Sequence, residues 1–189
     1  WDGYRAIAEI QNGKVNLSSR NKQTYNAVYS EIVSALETIP HDAVLDGEIV
    51  ALDKQGKSQF QLLQEYQKNK TIPLVYYVFD LLYLDGYDLR LIPLVERKAL
   101  LKTLLPASPH LKYSDHIDAH GLKAFTFAKD KQLEGIMAKR KTSSYSSTRS
   151  SEWLKIKHIQ MQEAVICGFT EPKGKRKEFG ALILGLYEN

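Results

Sequence analysis

The segment Leu74–Leu84 constrains the fold more than any other stretch. It is apolar or aromatic throughout except for Asp80, and it closes at the turn dipeptide Asp85-Gly86. A run with this composition reads as a long strand. No run in the chain approaches the roughly 20 apolar residues of a membrane-spanning helix, so no span of a bilayer is expected and the strand must be covered by the rest of the chain. The balance of 43% hydrophobic and 25% charged residues allows a packed core. At roughly 100–200 residues per domain, 189 residues predict one domain with a fragment of a second.

Other segments fill in around that strand. Ala6–Ile10 and Lys14–Ser18 flank Asn12-Gly13, the signature of a tight hairpin. Tyr25, Val28, Tyr29, Ile32, Val33 and Leu36 share one helical face, with Pro40 beyond its end. A strand over Val44–Leu52, a short helix over Ser58–Gln67, an amphipathic helix over Leu94–Leu105, a strand near Leu111–Ile117 and a helix near His120–Lys131 follow. Gly135–Arg140 and Trp153–Lys157 read as strands around a loop of six Ser and two Thr at 142–151. Strands and helices alternate irregularly, with hairpin turns and no repeat, so the fold class is α+β with antiparallel sheets rather than a doubly wound parallel sheet. Past residue 160, Ala164–Phe169 and Ala181–Leu186 predict two strands joined by a basic loop. A pair of strands is not a stable unit alone, so it reads as the beginning of a second domain.

Charge is unevenly placed. Residues 1–138 hold 16 basic and 17 acidic side chains, whereas residues 139–177 hold 10 basic and 3 acidic. A basic segment of this density suits a polyanion such as a nucleotide or nucleic acid; a solvated lysine-rich surface is the plain alternative. The single cysteine, Cys167, excludes an internal disulfide and any site built from several Cys ligands, and it fits a reducing compartment. None of the five His residues has metal-site spacing.

Several polar residues occupy positions where a strand would prefer apolar ones. Glu48 lies within Leu45–Val50 and Glu134 precedes Gly135–Ala138; a carboxylate there must be paired, hydrogen-bonded, set on a cation, or exposed at a strand end. In Trp153-Leu154-Lys155-Ile156-Lys157, period two aims Lys155 and Lys157 to one side. Two like charges side by side make sense around an anion such as a phosphate, or else as solvated lysines on an open sheet face. Phe79 beside Asp80 is either core or a stacking surface for a nucleobase. Ser19-Arg20-Asn21 could hold a phosphate or ribose, or form a capping turn. Gly56-Lys57-Ser58 ends like a phosphate-binding loop, but the glycine required five residues earlier is Ala51, so it reads as an ordinary turn.

Taken in order, these segments resemble the covalent nucleotidyltransferases, most closely the ATP-dependent DNA ligases. Trp1-Asp2-Gly3-Tyr4-Arg5 is similar to the nucleophile motif without its first residue, and Ser19-Arg20-Asn21, Asp46-Gly47-Glu48, Phe79-Asp80-Leu81-Leu82, Glu134–Lys139 and Trp153–Lys157 match the motifs that follow. The wording of Glu134–Tyr145 and of the tail, Gly168–Gly174 with Phe179–Leu182, most resembles ligase modules of bacterial non-homologous end joining.

The resemblance implies a nucleotidyltransferase (ATP-grasp-like) domain over residues 1–160, then the first strands of an OB-fold over 161–189. It also implies nick or break sealing through lysyl-adenylate and DNA-adenylate intermediates. RNA ligases and mRNA-capping guanylyltransferases share the motif order, and a non-catalytic nucleic-acid-binding module is the alternative outside enzymes. By motif, the nucleophilic lysine is expected immediately before Trp1. Asp2 would orient it and Arg5 would contact the ribose. Arg20 would meet a phosphate, Glu48 the ribose hydroxyl and Phe79 the adenine face. Lys155 and Lys157 would clamp the α-phosphate, and Glu134, with Glu48, would serve Mg²⁺ or Mn²⁺. Implied partners are ATP, nicked or broken double-stranded DNA and end-joining proteins, in a bacterial cytoplasm near the nucleoid.

Overall fold

The computed structural model describes residues 1–118, 121–131, 133–148, 150–158, 163–174 and 177–187. Fourteen elements follow in order: β1 (Tyr4–Gln11), β2 (Lys14–Ser19), α1 (Ser30–Leu36), β3 (Ala43–Ala51), α2 (Phe60–Glu65), β4 (Leu74–Leu84), β5 (Tyr87–Asp88), α3 (Leu94–Leu104), β6 (Leu111–Tyr113), α4 (Gly121–Asp130), β7 (Gly135–Lys139), β8 (Trp153–Lys157), β9 (Val165–Phe169) and β10 (Leu182–Gly185). Of the expected elements, Leu74–Leu84 and Trp153–Lys157 have the bounds read from the sequence, and most others shift by a residue or two. His120 lies outside the described residues, as do Arg149, Lys175 and Arg176 of the basic segment.

One sheet runs β2-β1-β3-β4-β5, with β6 also paired to β4. Asn12 and Gly13 take φ of 51° and 73°, as the β1–β2 turn requires. All pairings in this sheet are antiparallel except β4–β6, a departure from the antiparallel expectation. The exception arises because α3 carries the chain back along the sheet, the kind of crossover a parallel pair needs. The core lies on one face of this sheet. Leu45, Ile49, Leu74, Tyr76, Val78 and Leu81 point there with Ile32 and Leu36 of α1 and Leu101 of α3. The Tyr76 hydroxyl is buried but donates to the Ala6 carbonyl at 2.8 Å, so its burial leaves no polar group unsatisfied.

The helix expected from Tyr25 begins only at Ser30. Tyr25 instead donates its N–H to the Leu17 carbonyl, and the Asn26 amide accepts from Leu17 N at 2.8 Å while donating to Val15 O at 2.7 Å. Residues 25–26 therefore close the free edge of β2, and sheet-edge hydrogen bonds outweigh helical periodicity there. The strand expected over Leu111–Ile117 likewise ends at Tyr113.

β7 and β8 form an antiparallel pair of their own, and β9 and β10 another. The loop after β7 reaches the start of α3, where Ser143 O and Lys141 O accept from the N–H groups of Leu94 and Val95, both at 3.0 Å. Those are helix-terminal donors with no partner inside the helix. This junction seats the β7–β8 pair beside β4.

Candidate nucleotide site

The site is built on the face of the large sheet opposite the core. On β3, Leu45, Gly47 and Ile49 turn to the core while Asp46 and Glu48 turn to the other side. Arg5 on β1 is the Cα partner of Glu48, so it lies on that same face. On β4 the pairing with β3 skips Phe79: Val78 pairs with Gly47 and Asp80 with Asp46. Such a bulge re-aims a side chain, and here it puts Phe79 beside Arg5, whose guanidinium carbon lies 5.6 Å from the ring centroid.

Two ion pairs anchor this face. Arg5 binds buried Asp46 through two nitrogens, at 3.0 and 2.6 Å, which raises the guanidinium's pKa. Arg97 of α3, fully buried, binds fully buried Asp80 at 2.7 and 2.9 Å. Bidentate geometry of this kind holds both partners in register. Glu48 is half-buried and accepts from Gly3 N at 3.0 Å. Burial raises its pKa, and the negative charge of neighbouring Asp2 adds to the shift.

The second wall is the β7–β8 pair. Its register sets Lys139 opposite Trp153, Met137 opposite Lys155 and Gly135 opposite Lys157, so alternate residues of both strands share one face. Lys139 lies over two rings, 4.2 Å from the Phe79 centroid and 3.7 Å from that of Trp153. Burial lowers its pKa to about 8. Phe79 and Trp153 meet edge to face at 6.1 Å. Lys139 and Phe79 thus link the two sheets across the site.

Lys155 and Lys157 converge as period two predicts, and the anion between them is Glu134. Its two carboxylate oxygens lie 2.9 Å from Lys155 Nζ and 2.8 Å from Lys157 Nζ. The two ammonium groups lower the Glu134 pKa to about 2. All three side chains remain about half exposed, at 52%, 51% and 55%, and so are accessible to a ligand.

The structure therefore brings together Arg5, Glu48 and Phe79 on one sheet and Glu134, Lys155 and Lys157 on the other. Asp2 is exposed next to Glu48. Arg20 is exposed in the turn after β2 and makes no hydrogen bond or ion pair among the described residues. Its neighbour Ser19 accepts from Gln23 N within that turn, but the turn caps no helix, since α1 starts at Ser30 with Tyr29 at its N-cap. Gly56 takes φ 78° in an ordinary turn held by Asp53. Lys139, Trp153, Tyr145 and Arg97 were not singled out from the sequence. For Trp153 a signal existed, since it continues the alternation that marks Lys155 and Lys157; Lys139 sits on the other strand and meets them only through the pairing register.

Among the described residues no group of three or more His, Cys, Asp or Glu side chains could hold a metal ion. Mg²⁺ keeps several waters and takes one or two carboxylates together with phosphate oxygens. Glu134, ionised and accessible, fits that role for a metal arriving with a nucleotide. No helix among the described residues is long and apolar enough to cross a membrane.

Known proteins share much of this sequence and fold. The chain is 39% identical over 190 residues to the multifunctional non-homologous end joining protein LigD of Pseudomonas aeruginosa, covering 98% of this chain and 23% of that protein. It is 35% identical to the LigD of Mycobacterium tuberculosis, covering 98% of this chain and 24% of that protein. The chain thus spans about a quarter of the length of these relatives. A solved structure of mycobacterial DNA ligase D complexed with ATP and MES superposes with a TM-score of 0.74 at 33% identity, over 98% of this chain and 60% of that one. The family model for the ATP dependent DNA ligase domain matches residues 1–157, and the chain belongs to that family.

Proposed function

We propose that this chain is the nucleotide-binding core of an ATP-dependent DNA ligase that seals nicks or breaks. The observation that carries the reading is the accessible Lys155–Lys157 pair, which brackets the Glu134 carboxylate and shares a strand with Trp153, whose ring meets Phe79, which in turn lies by Arg5. Two converging ammonium groups suit a phosphoryl group that gains negative charge in the transition state. Phe79 offers a ring to a base, and Glu48 a half-buried acceptor for a ribose hydroxyl. The nucleophile is proposed to be a lysine immediately before Trp1. Its Nζ–phosphorus bond to the α-phosphate forms as pyrophosphate leaves, the 5′-phosphate of DNA then displaces lysine, and the 3′-hydroxyl displaces AMP. Glu134 would serve the divalent metal, Mg²⁺ or Mn²⁺, that accompanies the phosphates. Relatives named for non-homologous end joining support end-joining proteins as partners and a bacterial cytoplasmic, nucleoid-associated location.

Residues 1–160 would form the adenylation domain, and β9–β10 the first strands of an OB-fold. Val165, Ile166, Phe169 and Leu182–Leu184 leave apolar area exposed for such a barrel to cover. The test is incubation of the full-length protein with α-labelled ATP, then with nicked duplex. A covalent protein–AMP adduct that is consumed as the nick closes is the expected result. An adduct formed from GTP instead would assign the capping chemistry, and sealing of RNA alone would assign an RNA ligase. Binding of nicked DNA should also weaken steeply with salt, as contacts to phosphates require.

A further inference from the structure

The Arg5 side and the lysine side of the site belong to different sheets, and chemistry on one phosphoryl group needs their separation held. Tyr145, in the Ser/Thr-rich loop between β7 and β8, touches both. Its hydroxyl donates to Asp46 Oδ2 at 2.8 Å and accepts from Arg5 Nη2 at 3.3 Å. Its ring meets Trp153, the residue opposite Lys139 and two before Lys155, edge to face at 6.0 Å. Its own N–H is fixed to Arg90 O at 2.7 Å. Burial and the Asp46 charge raise the hydroxyl's pKa, so it stays a donor. Nearby Ser143 repeats the connection on the second ion pair: its carbonyl accepts from Arg97, and its hydroxyl receives the Trp153 indole N–H at 3.3 Å. The loop is thus clipped to both Asp–Arg pairs while it packs against Trp153 of β8.

We propose that Tyr145 is a positioning residue for nucleotidyl transfer, its hydroxyl held by Asp46 and Arg5 and its ring against Trp153, so that Lys155 and Lys157 keep their place relative to Arg5. The proposal rests on the ligase reading. A misplacement of about 1 Å at a reacting centre costs up to roughly a hundredfold in rate, so a tie across the site matters to turnover more than to binding.

The test uses the full-length protein and initial rates of labelled protein–AMP formation across ATP concentrations. Tyr145→Phe keeps the ring and removes the tie. It should lower kcat about tenfold with KM changed less than about twofold, while the thermal midpoint stays near wild type. Tyr87→Phe, on an exposed strand away from the site, should leave both constants unchanged. Combined with Lys155→Ala, Tyr145→Phe should add little further loss, because the group it positions is gone. A wild-type kcat in Tyr145→Phe overturns the proposal. So does a loss that tracks a fallen thermal midpoint and adds in full to that of Lys155→Ala, since both mark a purely structural contact. A wild-type protein that forms no adduct removes the ligase reading and this proposal together, whereas an active wild type with an indifferent Tyr145→Phe removes only this one.

Discussion

Asp46 of β3 and Asp80 of β4 are Cα partners, both fully buried, and each is closed by an arginine from a different element. Adjacent buried carboxylates would repel, so each needs its own cation. Arg5 supplies one from β1 and Arg97 the other from α3. Asp46 is thereby tied to the site and Asp80 to the helix behind it.

Removing one member of the second pair leaves a buried charge alone. Asp80→Ala should therefore cost about 3–5 kcal/mol, and the double replacement Asp80→Leu/Arg97→Met clearly less, since a buried pair exchanged for apolar side chains is often near neutral. Urea denaturation of both variants checks this. A single variant as stable as wild type contradicts the assignment.

Glu134 titrates far below an ordinary carboxyl because Lys157 and Lys155 hold its charged form. A lowered folded pKa contributes stability that is present above the usual carboxylate value of 4.5 and lost as pH falls through about 2. Solvent exposure keeps that contribution small, so the site titration is the better readout. The Glu134 carboxyl carbon shift should move with a midpoint near 2 in wild type and climb toward the ordinary value in Lys155→Ala/Lys157→Ala.

The same two lysines are proposed to stabilise the phosphoryl group. Lys155→Ala and Lys157→Ala should each suppress adduct formation from labelled ATP by about a hundredfold or more, the scale of losing one donor aimed at developing charge. Wild-type labelling in both variants would remove the clamp.

Lys139 is also shifted down, but by burial, which penalises its charged form instead of stabilising it. Burial lowers its pKa from 10.5 to about 8, against the pull of Asp80 and Asp46 and with the push of Lys98 and Arg5. Between those two values the unfolded chain binds the extra proton, so this group makes stability rise with pH over that window. Lys139→Met should flatten the rise, as read from denaturation midpoints at neutral and alkaline pH. An unchanged slope would mean that Lys139 does not titrate there.

Gly47, in the motif Asp46-Gly47-Glu48, has no room for a side chain. A Cβ there would lie 2.6 Å from both the Tyr76 ring and the Tyr77 carbonyl. Tyr76 cannot give way without breaking its buried hydroxyl contacts. Gly47→Ala should cost about 1–3 kcal/mol by overpacking, measurable as a lower thermal midpoint.

Local signals sufficed where the chain's own spacing decides the outcome. The Asn12-Gly13 hairpin, the apolar strand Leu74–Leu84 and the alternation of Trp153–Lys157 all depend on neighbours within a few residues, and all were legible. Motif order carried the family. The length of α1 was not legible, because Asn26 answers to the unpaired edge of β2 rather than to helical periodicity.

What the sequence determined by itself was which side chains exist at which alternating positions: two lysines on one side of a strand, a carboxylate before another, an aromatic beside an aspartate. Tertiary structure alone decided their partners. Glu134 fills the space between Lys155 and Lys157 because β7 and β8 pair in one register. Phe79 faces Arg5 because β4 bulges against β3. Tyr145 reaches Asp46 across 99 residues of chain. Each of these depends on where separate strands come to rest against each other, and no local pattern encodes that.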